Sequence, residues 1–164
     1  MKVRENMLKK YIIAFLVSMI PIVELRGGVP IGVASGLDWY KVLPLCMIGN
    51  MIPVPFIFFF ARKVLEWGKD KAVIGKFFTW CLEKGEKGGK ALNEKAGKGM
   101  FLALLLFVGI PLPGTGAWTG TLAASFLNLD FKKSVVAVIL GVLLAGIIMT
   151  VISLLGFSVF TAVK

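Results

Sequence analysis

The sequence predicts an all-α, polytopic membrane protein made of two repeats, each a re-entrant helical hairpin followed by a transmembrane helix. Three observations carry this. Of 164 residues, 57% are hydrophobic and 17% charged, a balance too apolar for a soluble domain of this length. Residues 99–129 and 134–163 hold no charge at all, and uncharged apolar runs beyond about 18 residues read as candidate spans. The same outline of short limb, Pro/Gly break, short limb, Asp and long apolar run occurs twice. Lipid admits only helices or closed barrels as spanning structures, and these apolar runs are continuous rather than alternating, so helices are expected.

Taken in order, Lys2, Arg4, Lys9 and Lys10 precede an apolar stretch at 11–23. That is the outline of a signal peptide. The run leads straight into Glu24-Leu25-Arg26-Gly27-Gly28-Val29-Pro30 without a small-residue cleavage site, so a retained membrane segment is expected. Residues 8–23 fall short of the ~20 apolar residues a span needs. Residues 24–30 break the run, 31–37 form a second short limb, and 39–61 form a long one interrupted by Pro44, Pro53 and Pro55. Residues 62–98 carry nearly all the mid-chain charge. Then come a limb at 100–110, a break at 111–116, a limb at 117–127, Asp130, and a long apolar run at 134–163. The expected organisation is one membrane domain, 1–164, with repeat 1 at 8–61, a connector at 62–98 and repeat 2 at 99–163.

A shift of ninety positions lays Ile20-Pro21 on Ile110-Pro111 and Ala34-Ser35 on Ala124-Ser125; two residues more lay Leu37-Asp38-Trp39 on Leu129-Asp130-Phe131. Two limbs too short to cross the bilayer suit a hairpin that dips in and returns. Interrupted segments at matching places in two halves point to an inverted-repeat transporter. Asp38 and Asp130 then stand where a hairpin ends and a spanning helix begins, the place for an N-cap.

In the connector, Val73, Ile74, Phe77, Phe78, Trp80, Cys81 and Leu82 recur at helical spacing among lysines, which predicts an interfacial amphipathic helix. The glycine- and lysine-rich stretch 85–99 is expected to be a loop. The connector's Lys/Arg excess places it in the cytoplasm. An inverted first half would put the basic N-terminus outside, against that rule; the larger charge of the connector decides.

The net charge of +10 reads as headgroup anchoring, because the basic residues flank apolar segments; no nucleic acid is expected as a partner. Histidine is absent, which excludes imidazole triads and His-based metal sites. Cys46 and Cys81 are far apart in sequence and near no other soft ligand, so neither a disulfide nor a metal site is expected. With no nucleophile–base pair in view, the chain does not read as an enzyme, and no cofactor is implied.

Glu24 and Arg26 are an acid and a base at a break between apolar limbs. Charges at membrane depth cost about 2.5–3.5 kcal/mol on insertion scales and therefore face a cavity or a partner. One reading makes Glu24 a proton or cation site and Arg26 an anion site, with Gly27, Gly28 and Pro30 shaping the backbone. The other has the two charges pair or cap the hairpin tip. The counterpart, Pro111-Leu112-Pro113-Gly114-Thr115-Gly116-Ala117-Trp118-Thr119-Gly120, has no charge but gathers amides and hydroxyls near a helix start. That suits an anion, or else a tight turn packed on the first hairpin. The substrate or ion candidates are therefore Glu24, Arg26, Gly27, Gly28, Pro30, Pro111, Pro113, Gly114, Thr115, Gly116 and Trp118. Asn50 is expected to make an inter-helix hydrogen bond, and Gly141 with Ala145 a packing face.

The pair of motifs, Glu24-Leu-Arg-Gly-Gly-Val-Pro and Pro111-Leu-Pro-Gly-Thr-Gly-Ala-Trp, resembles the small multidrug export protein family, a distant branch of the DedA-like (SNARE-associated/VTT) membrane proteins. The resemblance implies two re-entrant hairpins facing each other among spanning helices. It also implies a connection with lipid movement, polyprenyl phosphates included, and with proton-dependent resistance to toxic compounds. DedA-like proteins carry arginines near the second hairpin; here that motif has none, and Arg26 is the one hairpin-tip cation.

The reading is a multi-pass transporter or flippase of a small amphipathic or lipid-like solute, proton-coupled through Glu24, in a prokaryotic inner or plasma membrane. The alternative is a lipid scramblase or a non-transporting protein that organises membrane. Partners are membrane lipids, the solute and protons; a homo-oligomer is compatible with the sequence.

Overall fold

A computed structural model describes residues 2–21, 23–71, 75–76, 79–80, 83 and 99–162. Among these residues there is no strand. Seven helices are followed here: α1 (Lys2–Met19), α2 (Glu24–Ala34), α3 (Trp39–Met51), α4 (Pro53–Gly68), α5 (Gly99–Gly109), α6 (Ala117–Phe126) and α7 (Phe131–Ala162). The amphipathic helix expected around 70–82 and the loop expected at 85–99 lie largely outside the described residues.

Among the described residues two stretches are long and apolar enough to cross a membrane. They are Trp39–Gly68, 30 residues formed by α3 and α4 in succession, and Phe131–Gly156, 26 residues of α7. Pro53 is the first residue of α4 and follows directly on helical Ile52. Phe56, Phe60, Val151 and Leu155 point outward along these helices, a surface suited to lipid. α2 has 11 residues and α6 has 10. At about 1.5 Å per residue each is ~15 Å long, half of a ~30 Å hydrocarbon core.

The first break is shorter than expected. It occupies 20–23, and the segment 24–30 is helical, with Pro30 inside α2. Leu25, Val29 and Val33 recur at helical spacing and are buried. That packing outweighs the loss of one ladder bond at Pro30 and the poor propensity of two glycines. Glu24 makes the reversal itself, at φ 53°.

Both hairpins end in the same cap. After α2, Gly36 (φ 79°) donates to Val33 O and Leu37 to Gly32 O; after α6, Asn128 (φ 53°) donates to Ser125 O and Leu129 to Ala124 O. Each is a Schellman motif, with the left-handed residue that motif requires. The two caps stand 92 positions apart, so in cap geometry Ala34-Ser35 corresponds to Phe126-Leu127 rather than to Ala124-Ser125.

Glycines set the helix approaches, again at matched places. A Cβ on Gly49 of α3 would lie 2.8 Å from the Phe15 carbonyl of α1, and one on Gly141 of α7 would lie 2.7 Å from the Leu105 carbonyl of α5. Gly28 of α2 faces Ala14 and Ser18, while Gly120 of α6 faces Leu104 and Val108. The second limb of each hairpin also packs on the long helix of the other half, α2 on α7 and α6 on α4. Leu25, Val29, Val42, Val54, Val108, Val138 and Val142 fill the shared core. Ala145 is buried there beside Gly141, on the face expected to pack.

Candidate functional site

The start of α2 meets the second chain break, and its charges are spent on the main chain of that break and of the start of α6. Glu24 is 3% exposed. Its Oε2 accepts the Ala117 N–H at 3.1 Å and its Oε1 the Trp118 N–H at 2.9 Å. These are the first two amides of α6, which has no side-chain cap of its own. A helix start offers unsatisfied donors and a partial positive charge. The anion suited to the second motif is thus the chain's own carboxylate, from 93 residues upstream.

Two special backbone positions allow this approach. Gly116 has φ 132°, and a Cβ there would land on the Glu24 carboxylate. Glu24 occupies the left-handed region, which costs a non-glycine residue about 1–3 kcal/mol and is retained where surrounding structure dictates it.

Arg26 lies half-buried two residues further along α2 and reaches across to the break after α5. Its Nη1 donates to the carbonyls of Leu112 and Thr115, the latter at 2.8 Å. Its Nη2 donates to the carbonyls of Val108 (3.4 Å) and Ile110 (3.3 Å) and to Thr115 Oγ1 (2.7 Å). No acidic side chain is among these acceptors. The shape of the break explains their number. Thr115 N–H donates to Leu112 O, closing a turn with Pro113 and Gly114 (φ 81°) in its centre, the Pro-Gly arrangement of a type II turn. Leu112 N–H turns back to Ile110 O. Pro111 and Pro113 supply no N–H, so carbonyls outnumber donors. The Thr115 hydroxyl lies within hydrogen-bond distance of both Ile110 O and Leu112 O, at 2.9 Å.

The remaining candidates divide. Gly116, Thr115 and Trp118 are in the junction; Pro111, Pro113 and Gly114 shape its turn. Gly28 instead packs α2 on α1 beside the Ser18 hydroxyl, and a Cβ on Gly27 would meet the side chain of Val23. Pro30 is within α2, a turn beyond Arg26. The Trp118 indole N–H is buried with no hydrogen-bond partner in the structure, and so are both amide atoms of Asn50; the inter-helix bond expected of Asn50 is not made among the described residues. Asp130 caps α7 through Oδ1, which accepts the Lys133 N–H at 2.9 Å. Asp38 differs: its carbonyl opens α3, while its carboxylate pairs with Lys41 at 2.6 Å and bonds no amide. Both groups of that pair are substantially exposed. Among the described residues, no group of His, Cys, Asp and Glu could hold a metal.

What sequence reading missed are main-chain atoms: the carbonyls of Val108, Ile110 and Leu112 and the amide of Ala117. No side-chain type marks them. The nearest signal was the spacing of Pro111 and Pro113, which strips donors from the break.

A groove of about 290 Å³ lies at the base of the second hairpin, lined by Met100, Leu104, Leu129, Lys133 and Ser134 among others. It is remote from the junction, at the opposite end of α5.

The profile of the family described as "Putative small multi-drug export protein" matches residues 24–148, 125 of the 164 residues. It starts on Glu24, just after the first break, and takes in the second. Comparison with curated proteins and with solved structures gives no match.

Proposed function

The chain belongs to the small multi-drug export protein family, and on that premise we propose that it is a multi-pass exporter of a small amphipathic solute, gated where Glu24 and Arg26 dock into the opposite break. The observation that carries the reading is the buried Glu24 carboxylate, held by two amides of the other half of the chain. Matched caps, matched glycine contacts and the exchange of limbs between the halves support an inverted repeat. In such folds the working site lies near mid-membrane, between broken helices. Limbs of about 15 Å bring their tips to that depth.

The junction suits a gate because both of its locks are electrostatic. As a carboxylate, Glu24 has only acceptors to offer, and it faces two donors. A proton on either oxygen replaces an acceptor by a donor pointing at an N–H, and the clamp on α6 weakens. Proton entry at Glu24 then releases the tips, and proton loss reseals them. In this reading the protein serves a cell membrane, and its partners are the solute, protons and the surrounding lipid.

The same contacts have a structural reading, in which they only fasten the two halves of a protein that organises membrane. Glu24→Gln separates the two. The amide keeps the size of the side chain but cannot ionise. Export from proteoliposomes under an imposed pH gradient should be lost in the variant, while its amount in the membrane and its elution as a single folded species stay normal. Unchanged gradient-driven export by well-folded Glu24→Gln protein would leave only the fastening role.

A further inference from the structure

We propose that the acceptors holding Arg26 form a cation cage for guanidinium-type solutes, small planar organic cations, and that Arg26 is the tethered occupant of this cage in the sealed state. The proposal rests on the exporter reading above and names the solute class for that site. Five acceptors converge: the carbonyl oxygens of Val108, Ile110, Leu112 and Thr115, and Thr115 Oγ1. The Val108 and Ile110 carbonyls lie at the C-terminal end of α5, where the helix carries partial negative charge and has carbonyls without intrahelical partners. Pro111 and Pro113 withhold the amides that would otherwise compete for such oxygens.

The arrangement matches a planar fork better than a point charge. The acceptors divide between the two terminal nitrogens, two for Nη1 and three for Nη2. A guanidinium presents five donors in one plane, whereas an ammonium presents three around a point. The Arg26 bonds to the Ile110 and Leu112 carbonyls lie on the exposed side of the junction. If the tips part, Arg26 withdraws: the Val108 and Thr115 carbonyls lose its N–H groups, and leaving acceptors unsatisfied is costly, while the Ile110 and Leu112 carbonyls keep the amides of Leu112 and Thr115. A solute guanidinium restores those bonds. Opening is therefore favoured when such a cation is present, which is what a carrier requires of its cargo.

The test is chemical rescue, read by stability rather than transport. Full-length wild type and Arg26→Ala are purified in detergent and melted with methylguanidinium chloride or methylammonium chloride at equal millimolar concentrations. Methylguanidinium should raise the Tm of Arg26→Ala by about 4 °C at ten times its Kd. Methylammonium should not, and wild type, with its cage filled, should not respond to either. No shift in the variant, an equal shift with methylammonium, or an equal shift in wild type each overturns the cage. If Arg26→Ala is not recovered folded, Arg26→Lys is melted with the same two salts; absence of a methylguanidinium-selective shift again overturns it. Wild-type proteoliposomes should then move methylguanidinium faster than protein-free vesicles, and rescue without this flux overturns the assignment of solute class. Loss of the cage leaves the Glu24→Gln experiment standing. Conversely, unaltered export by Glu24→Gln removes the gate but does not affect the melting shifts.

Discussion

At the scale of single residues, the junction depends on positions where ordinary side chains are excluded. Gly116 is the sharpest case, because its φ of 132° and the adjoining Glu24 carboxylate both forbid a Cβ. Gly116→Ala is expected to push Glu24 off the Ala117 and Trp118 amides. It should therefore reproduce the gating defect of Glu24→Gln in the pH-gradient export assay, and it should also lower Tm, since the buried carboxylate loses its donors. Wild-type export by Gly116→Ala would mean that the two amide bonds are not the lock. The two aspartates make a second contrast. Asp130 bonds the Lys133 amide, so Asp130→Ala should cost about 1 kcal/mol, the ordinary value of an N-cap. Asp38 pairs with exposed Lys41, and surface pairs contribute little, so Asp38→Ala should leave denaturant stability nearly unchanged. Lys41 also holds the Asp38 carboxyl below its ordinary range through the hydrogen bond between them. Whatever the pair contributes is present above the ordinary carboxylate range and is lost as pH falls through the lowered value. Side-chain identity at both aspartates was legible in the sequence. Their different bonds were not, because a lysine three residues on follows each of them, Lys41 and Lys133, and only the structure separates ion pair from amide bond.

At the scale of helices, the energetics are those of close approach. Gly49 and Gly141 let the second helix of each contact rest directly on a carbonyl, that of Phe15 and that of Leu105. Small residues serve this purpose where apolar surface gives no preference for protein over lipid. Adding a methyl at either place must move backbone, and overpacking of this kind costs typically about 1–3 kcal/mol. Gly49→Ala and Gly141→Ala should therefore destabilise by similar amounts, measured as loss of Tm in detergent. Tolerance at one and severe loss at the other would deny that the two contacts are equivalent. Much of this level was readable beforehand. The long helices, the second break and the limb after it follow from runs without charge and from Pro111 and Gly114, and α6 begins at Ala117 as the motif suggests. The first break was misjudged because Gly27, Gly28 and Pro30 resemble a loop by local chemistry. Helical spacing of Leu25, Val29 and Val33 was the stronger term, and its effect depends on α1 and α7, which supply the surface those residues bury.

At the scale of the molecule, the two halves lock by exchange. α2 lies on α7, α6 lies on α4, and the start of α2 gives its acid and base to the second break and the start of α6. The two-residue step between the matched positions has a physical origin. Between α1 and α2 the chain passes from Met19 to Glu24, between α5 and α6 from Gly109 to Ala117, three positions more; α6 is one residue shorter than α2, which leaves a step of two. The longer second break holds the acceptors for Arg26 and the amides for Glu24, so the asymmetry of an otherwise matched pair is confined to the junction. The likeness of Ile20-Pro21 to Ile110-Pro111 was visible in the sequence. That Glu24 and Arg26 meet the second break was not, since contact depends on main-chain atoms some ninety residues away. The arrangement carries a topological consequence. Asp38 ends the first hairpin and precedes the 30-residue stretch Trp39–Gly68; Asp130 ends the second and precedes the 26-residue stretch Phe131–Gly156. If each stretch crosses once, and each hairpin returns to the side it left, the two aspartates lie at opposite faces of the membrane. Neither is in the junction of Glu24 and Arg26 with the second break, so single cysteines there probe topology without disturbing it. With Cys46 and Cys81 replaced by alanine, Asp38→Cys should react with a membrane-impermeant maleimide from one side of oriented vesicles only, and Asp130→Cys from the other side only. Labelling of both from the same side would mean that a hairpin crosses fully or a long helix does not, and the inverted repeat would have to be abandoned.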